Sequence, residues 1–548
     1  MLASRFGSRG GAPSNVRSPL AVAVTIALLG SFLPGCASYR HGNTDAEGSR
    51  IEAQKHRAVS EFRRDELIDP RTLPEDASSA EATASDLSAT DIAVPDPLRL
   101  ADAITIATEH NRNYQANREQ LFLAALDLGV TRRDFLRPVF DGSLDYSFSD
   151  GSGIDSSDVV SLSLGGDYLL FTGGTLALSS NWDLARSPTD PGADQSTDGS
   201  TTLSISQPLL QGAGHTIAFE GLTQAERNLL YDARDFELFR QDFVIGIIDD
   251  YYALLSQKQQ LENSRQNIER QQFAYEQAQA LFRLGRGDSL SVFRAEQSVL
   301  QAQTAYLTAE QGFAVALDRF KIQLGLPTAV EFAIEDEFPS LVELSIGLEG
   351  AVEAALHNRL DLRTTRDQLE DRRRALRIAE DRLLPRLNLT ASYTTSTDAA
   401  TSLQGLDFHE EDAASIGLSL EIPFDRKSER AALRSAELSL LQSERNLVQR
   451  EDEVILDVRN SLGTLRQRRA QIEIGEREIR SLELSLEKAS LEFESGLATN
   501  RDVTEAADEL TDAKNEQLDR IVDHEIARLT LLRQLGLLFV DESGQVDE

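Results

Sequence analysis

The sequence predicts a mainly α-helical protein that also contributes strands to a membrane β-barrel, with a helix-strand-strand-helix repeat present twice. Three observations predict this fold. Apolar residues recur every seven positions in two long segments, the period falls to two in shorter segments between them, and the whole pattern occurs twice. Seven-residue spacing is typical of helices that wind around partners, and alternation is typical of strands with one apolar face.

The first element is a long helical hairpin in each repeat. One apolar stripe with seven-residue spacing comprises Val458, Leu465, Ile472, Ile479, Leu486 and Phe493. Shifted back by 211 positions, the same stripe comprises Ile247, Leu254, Leu261, Ile268, Tyr275 and Phe282. Since chance rarely aligns six positions, we interpret the match as an internal duplication rather than two unrelated amphipathic helices. The offset continues through the turns, where Phe493 and Gly496 match Phe282 and Gly285.

The repeat also includes an incoming helix, predicted from Leu98 to Leu136 in the first copy. His110-Asn111-Arg112 recurs 247 positions later as His357-Asn358-Arg359, and Pro138 recurs as Pro385. Tyr146 recurs as Tyr393 at the same offset, so the repeat includes both the incoming helix and the strand after it.

Strands follow each incoming helix and precede each long hairpin. Apolar residues alternate with polar ones around Tyr146, Leu203, Tyr393 and Leu418. A proline marks each of the four predicted crossings between strand and helix, where its missing N–H group is tolerated. These prolines are Pro138, Pro208, Pro385 and Pro423.

The first repeat is longer between its strands than the second. Tyr146 to Pro208 spans 62 positions, whereas Tyr393 to Pro423 spans 30. Two further strands are predicted in the surplus, at Val160 to Leu170 and Leu176 to Trp182. The pattern leaves open whether this pair joins the sheet or folds over it.

The N-terminus has the layout of a secretory signal. Arginines precede an apolar run from Leu20 to Leu33, and Leu33-Pro34-Gly35-Cys36 follows. The run is short for a membrane anchor. Its ending resembles a bacterial lipobox, which implies cleavage before Cys36 and lipidation of that residue. An uncleaved anchor or an ordinary signal peptide with an incidental cysteine are the alternatives.

These patterns divide the chain into six parts. We expect a signal peptide (1–35), a lipidated tether (36–97), repeat 1 (98–326), a connector that packs against the waist of the helices (327–347), repeat 2 (348–540) and an acidic tail without regular structure (541–548).

Composition and motifs exclude several classes of function. The net charge of −35 disfavours nucleic acid, which is bound by clustered Lys and Arg. The single cysteine rules out a disulfide framework. Neither a His-Glu-x-x-His nor a Gly-x-Ser-x-Gly motif occurs, so we predict no enzyme, no cofactor and no resident metal.

The strands raise a problem of closure. Each approaches the length that crosses a tilted bilayer, about 9 to 11 residues, although a half-buried sheet of a soluble domain would show the same alternation. An open sheet in lipid would leave its edge groups unsatisfied, and outer-membrane barrels start at about eight strands. Several copies must therefore close the barrel.

The turn at the end of each long hairpin, here called its tip, has the motif aromatic-x-x-Gly followed by Ser-Val in the first copy and Asp-Val in the second. With this motif, its duplicated repeat and its junction prolines, the chain resembles the TolC family of outer-membrane efflux channels from Leu98 to about Val540. The resemblance implies a trimeric α/β barrel in the outer membrane of a Gram-negative bacterium, lipid-anchored here. It also implies a passive conduit for tripartite efflux or type I secretion, with an adaptor and an inner-membrane pump as partners. The barrel would have twelve strands by analogy, or eighteen if the extra pair joins.

Family positions suggest where the conduit would close. Asp502 and Glu505 lie one helical turn apart and match the acidic ring of the periplasmic aperture, where they could bind blocking cations. Threefold repetition would raise their pKa values by mutual repulsion. The alternative is an acidic helix start favoured by the helix dipole.

The tip turns are the other expected site. Gly285, Arg286, Gly496 and Leu497 are expected to dock the adaptor, and Arg286 and Arg501 to form ion pairs in a closed state. The first tip departs from the pattern, because Ser291 stands where the second has Asp502. A periplasmic adaptor and a structural coiled-coil lipoprotein are the rival functions, although an adaptor would normally carry one hairpin.

Overall fold

The computed structural model describes residues 94–151, 154–186, 196–285, 288–342, 344, 346–399, 411–495, 497–541 and 544–547. In these residues the protein is mainly helical with one large sheet, and both copies of the predicted repeat are present. The helices of repeat 1 are α1 (Leu100–His110), α2 (Arg112–Leu136), the short α3 (His215–Ala218), α4 (Glu220–Arg283) and α5 (Ser289–Gln323). Those of repeat 2 are α6 (Leu348–Asn358), α7 (Leu360–Asp381), α8 (Lys427–Glu494) and α9 (Asn500–Leu535).

The long helices pair as predicted. α4 packs against α5, α8 packs against α9, and α9 also packs against α4. With 64 residues, α4 is about 96 Å long at about 1.5 Å per residue. Within the described chain, no helix combines the length and the apolar character needed to cross a membrane.

The two predicted stripes differ in how far their burial extends towards the tips. Val458, Ile472 and Phe493 are buried in the second hairpin, and Ile247 and Leu254 in the first. The first stripe fails at its tip end, where Phe282 is 48% exposed. There the interior of the hairpin is filled by smaller residues, Ala274, Ala278 and Ala295, which let the two helices approach closely.

Among the described residues, six strands form one antiparallel sheet in the order β1-β2-β3-β4-β5-β6. They are β1 (Val139–Gly151), β2 (Ile154–Leu169), β3 (Thr175–Arg186), β4 (Ser196–Pro208), β5 (Arg386–Ala399) and β6 (Glu411–Glu421). The extra pair, β2 and β3, lies inside the sheet between β1 and β4, so each chain contributes six strands. Three copies would therefore supply eighteen strands rather than twelve.

The sheet has one apolar and one polar face. Leu144 lies opposite Leu162, and Leu203 lies opposite Tyr393. On the other face Ser143 lies opposite Ser163. The apolar side chains are strongly exposed in the single chain, for example Ile416 at 83%.

All four predicted prolines stand at or beside a strand end. Pro138 precedes β1, Pro208 ends β4, Pro385 precedes β5, and Pro423 follows β6. The junction prediction is therefore confirmed.

The waist of the molecule contains the main apolar core. Phe332 and Ile334 of the connector are buried there, and Ile334 forms a bridge with Leu98. The tail was expected to lack regular structure, and this was wrong for its described residues. Val540 and Val546 pair in a short hairpin of β7 (Phe539–Val540) and β8 (Val546–Asp547), because each side chain packs against the waist core.

The letter match between the incoming helices is one residue out of register with the structure. The break between the two short helices falls at Asn111 in repeat 1 and at Arg359 in repeat 2, an offset of 248 rather than 247. The buried alanines agree, since Ala103 and Ala107 correspond to Ala351 and Ala355. One residue is thus lost between the break and the junction proline.

Candidate functional site

The helices that follow the two tips, α5 and α9, each begin with one hydroxyl and one carboxylate side chain three residues apart. The order of the two side chains is reversed between the helices. At the start of α5, the Asp288 carboxylate accepts a hydrogen bond from the Ser291 backbone N–H at 2.8 Å. At the start of α9, Thr499 is the N-cap, and its backbone N–H donates to Asp502 Oδ2 at 2.6 Å. Asp288 corresponds to Thr499 and Ser291 to Asp502, so the first tip keeps its carboxylate three residues earlier. This explains its departure from the family pattern.

The structure brings Asp502, Glu505 and Arg501 together in the first turns of α9. Hydrogen bonds from the Thr499 hydroxyl and backbone N–H, aided by the Arg501 charge, lower the pKa of Asp502. Arg501 lies 3.6 Å from Glu505 in an exposed ion pair. Within one chain both carboxylates therefore have stabilising partners. The expected rise in pKa depends on carboxylates from other copies.

The tip turns are exposed and apolar at their ends. Gly285 has a φ of 74°, a left-handed conformation that favours glycine. The neighbouring Leu284 is 72% exposed, and Leu497 in the second tip is 82% exposed. Arg286, Gly496 and the proposed lipidation site Cys36 lie outside the described residues.

A ladder of polar contacts joins α4 to α9 above the tips. Ser256 donates to Asp519 at 2.6 Å, Asn263 to Asn515 at 2.7 Å, and Arg270 to Thr511 at 2.8 Å. We call this ladder the polar seam. Burial lowers the pKa of Arg270, and the Asp508 charge opposes that shift.

Sequence reasoning missed the polar seam, although a signal was present. Ser256, Asn263 and Arg270 are seven residues apart, as are Asp508 and Asn515. The apolar heptads by themselves predict only one face of the helix. A heptad of polar residues beside an apolar one predicts a second, hydrated face for the same helix.

A different seam joins α4 to α7 near the sheet. Arg374 lies 2.9 Å from Glu220, Arg234 lies 2.7 Å from Asp367, and the Tyr231 hydroxyl donates to Asp371 at 2.7 Å. Burial and the hydrogen bond to Asp371 raise the pKa of Tyr231 to about 12. These contacts fasten repeat 1 to repeat 2 at the end of the helices next to the sheet.

No group of three or more His, Cys, Asp or Glu side chains that could hold a metal ion occurs in the described part of the chain.

The comparisons with known proteins agree with this geometry. The family model described as outer membrane efflux protein matches residues 109–325 and 351–537, well over half of the chain. Comparison with curated protein sequences found no match.

Solved outer-membrane channels have the same fold. The CmeC channel of Campylobacter jejuni is 16% identical, with a TM-score of 0.60 over 80% of this chain and 85% of its own. VceC of Vibrio cholerae is 16% identical, with a TM-score of 0.59 over 80% and 96%. The open state of MtrE from Neisseria gonorrhoeae is 16% identical, with a TM-score of 0.58 over 81% and 90%.

At such identities the structural likeness establishes the fold, while the family match covers both repeats. The resemblance to TolC-type channels is therefore confirmed. The chain belongs to the outer membrane efflux protein family and is a transport conduit of the outer membrane rather than an enzyme.

Proposed function

We propose that three copies of the chain form a continuous channel through the outer membrane and the periplasm. It would receive cargo from an adaptor and an inner-membrane pump. The observation that carries the proposal is the six-stranded sheet. Its outer strands, β1 and β6, each pair on one side only, and its apolar face is exposed. In lipid both edges must be paired, which further copies of the chain would achieve.

The helices offer matching surfaces for those copies. The face of α9 that bonds α4 corresponds, by the offset of 211, to the face of α5 that contains Gln297, Leu300, Thr304 and Thr308. That face of α5 lines an open cavity of about 710 Å³, and Leu300 is 57% exposed. We infer that α8 of a neighbouring copy packs there, as α4 packs on α9.

We further propose that the channel opens at the polar seam near the tips. Hydrogen bonds between polar side chains can exchange partners with water at low net cost, whereas an apolar seam cannot. The solved structure of the Neisseria gonorrhoeae channel in its open state supports a conduit with more than one state. In the closed state, Asp502 and Glu505 would form the acidic ring, able to attract blocking cations. Arg501, together with Arg286, would hold the tips by ion pairs.

The tips and the N-terminus complete the proposal. The turns at Gly285, Arg286, Gly496 and Leu497 would contact the adaptor. In support, Leu284 and Leu497 present exposed apolar side chains at the ends of the hairpins. The signal (1–35) would be removed, and the lipid on Cys36 would anchor the tether (36–97) at the membrane.

Planar-bilayer recording tests this function. Purified protein should conduct in discrete steps with a preference for cations. Asp508→Ala with Asp519→Ala should raise the open probability, because it weakens the polar seam. Gln297→Ala with Thr308→Ala, at the corresponding positions of α5, should not.

Asp502→Ala with Glu505→Ala should raise the conductance and abolish the cation preference. A protein that inserts but does not conduct would overturn the proposal. It would instead favour the adaptor or structural lipoprotein.

A further inference from the structure

The groove between α1 and α4 in repeat 1 is filled by the C-terminal tail. Its floor comprises Ile104, Thr108, Val244 and Ile248, each at most 5% exposed. Gly544 lies directly on this floor, since a Cβ atom there would be 2.5 Å from Ile104 Cγ2. Leu538 and Val540 join the same core.

The corresponding groove in repeat 2, between α6 and α8, is open. By the offsets of 248 and 211, its floor comprises Val352, Leu356, Ile455 and Arg459. These residues line a cavity of about 620 Å³, and Leu348 at its rim is 37% exposed. An open groove with a mainly apolar floor marks an interaction site, and the equivalent groove of repeat 1 has an occupant.

The internal repeat indicates which segment that occupant is. The tail that fills the first groove follows α9, and α9 packs beside α4, a wall of that groove. The counterpart of α9 is α5, and residues 327–331 follow it. In the proposed channel, the helix beside α8 is α5 of a second copy. By the offset of 211, Ala329 is the counterpart of Val540, which belongs to the core of the filled groove. Residues 328–331 of that copy would then reach the open groove as Val540 and its neighbours reach the filled one.

The structure of this segment fits such a role. Thr328, Ala329 and Glu331 are exposed, while the chain on either side is fixed. On one side the Lys321 ammonium donates to the Thr328 carbonyl oxygen at 2.9 Å. On the other side Phe332 is buried in the waist core. A short exposed segment held at both ends loses little conformational freedom when it docks.

The open groove and the exposed segment also carry one pair of opposite charges, Arg459 and Glu331. Arg459 stands where repeat 1 has the apolar Ile248, and it is exposed. No ion pair joins it to a carboxylate within the described residues. Glu331 likewise has no ion pair there, and it is the acidic side chain of the protruding segment.

We propose that the α6–α8 groove is a docking site for residues 328–331 of a second copy of this chain, with Glu331 of that copy paired to Arg459. The site is incomplete in one chain. This inference rests on the proposed trimer and adds the contact that fastens neighbouring copies at the waist.

Disulfide trapping in membranes tests the contact. Ala329→Cys combined with Glu353→Cys should give covalently linked copies on mild oxidation. The matched control is Ala329→Cys with Thr105→Cys, because Thr105 is the counterpart of Glu353 in the groove that the tail already fills. The control should give no link between copies. Cys36 is retained in every variant.

A charge exchange supplies a second measurement. Glu331→Arg and Arg459→Glu should each speed dissociation of the detergent-extracted assembly by about two- to fivefold, the size expected of an exposed ion pair. The double variant should restore the original rate.

Three results would contradict the inference. A conducting trimer without the link, in which the cysteine introduced by Glu353→Cys stays open to maleimide, overturns the docking site and leaves the proposed channel intact. Protection of that cysteine that disappears on deletion of residues 66–93 assigns the groove to the chain's own N-terminal segment. A monomer that neither links nor conducts removes the proposed channel as well.

Discussion

In repeat 1, Asn111 separates α1 from α2, whereas in repeat 2 Arg359 separates α6 from α7. The Asn111 side chain accepts hydrogen bonds from Asn113 and Tyr114 and donates to the Gln323 carbonyl oxygen at 2.7 Å. Arg359 instead pairs with Asp361 at 2.8 Å and with Asp457 at 3.1 Å. Both residues are buried.

The side chains around the two breaks also differ, with aromatic contacts in repeat 1 and an ion pair in repeat 2. Tyr114 packs among three phenylalanines in repeat 1, with ring centroids 5.0 Å apart at Phe243. In repeat 2 the counterpart of Phe239 is Arg450, which pairs with Asp361 at 2.6 Å. One geometry is thus held by neutral and aromatic contacts in one copy and by ion pairs in the other. The difference shows that duplication preserved the backbone break and not the chemistry that stabilises it.

The largest effect is expected at the glycines that pack on these breaks. Gly325 and Gly536 both have positive φ. A Cβ atom at Gly325 would overlap the carbonyl of His110, whereas one at Gly536 would lie 2.9 Å from the Asn358 carbonyl carbon. We expect Gly325→Ala to cost about 4 kcal/mol and Gly536→Ala about 2 kcal/mol of stability. Denaturant unfolding in detergent measures both, and equal losses would contradict the difference.

Exchanging the two break residues should also cost unequal amounts of stability. Asn111→Arg buries a charge where repeat 1 offers Asn113 and Gly246 in place of Asp361 and Asp457, so we expect a loss of about 3 kcal/mol. Arg359→Asn removes ion pairs but leaves Asp361 paired with Arg450, so about 2 kcal/mol is expected. The same unfolding assay applies. A harmless Asn111→Arg would mean that an unseen counter-charge lies near the first break.

Acid should weaken the break in repeat 2 and leave the break in repeat 1 unaffected. Burial by itself would raise the pKa of Asp361, but hydrogen bonds and charge from Arg359 and Arg450 outweigh it and lower the pKa to about 2. The pKa is depressed in the folded state, so this stability is present above about pH 4 and is lost as the pH falls toward 2. It amounts to at most about 2 kcal/mol.

The protection factor for hydrogen exchange, which is the intrinsic rate at each pH divided by the observed rate, should therefore fall near the second break over that pH range and stay constant near the first break. Asp361→Asn should remove the difference in protection between pH 4 and pH 2. If the variant keeps the same pH dependence, another carboxylate is responsible.

The smallest effect is expected at the tips. Asp288→Ala should speed hydrogen exchange only in the first turn of α5, and Thr499→Ala only in the first turn of α9, because each removes an exposed cap. The double change Asp288→Thr with Ser291→Asp gives the first tip the arrangement of the second and should leave exchange there nearly unchanged. Faster exchange in the double variant would show that the two caps are not interchangeable.

Much of the fold could be predicted because its signals are local or strictly periodic. Apolar heptads, alternation around Tyr146 and Tyr393, and the junction prolines each follow from contacts that recur along one element. The helix break could not be aligned, because the shared His-Asn-Arg letters are displaced by one residue from the shared backbone geometry.

Long-range chemistry was also beyond sequence reasoning. The Arg359–Asp457 pair joins residues 98 positions apart, and the tail folds because Val540 and Val546 meet the waist core. The family resemblance predicts Asp502 as part of an acidic ring, but its role as partner of Thr499 depends on where α9 begins. Such pairings appear only when the chain is folded.

The proposed channel depends most on closure of the six-stranded sheet by sister copies. Native mass spectrometry of the protein extracted from outer membranes in mild detergent measures this directly. A single species with three times the mass of the mature chain is the predicted result. A species with the mass of one chain, extracted under conditions that preserve channel activity, would contradict it.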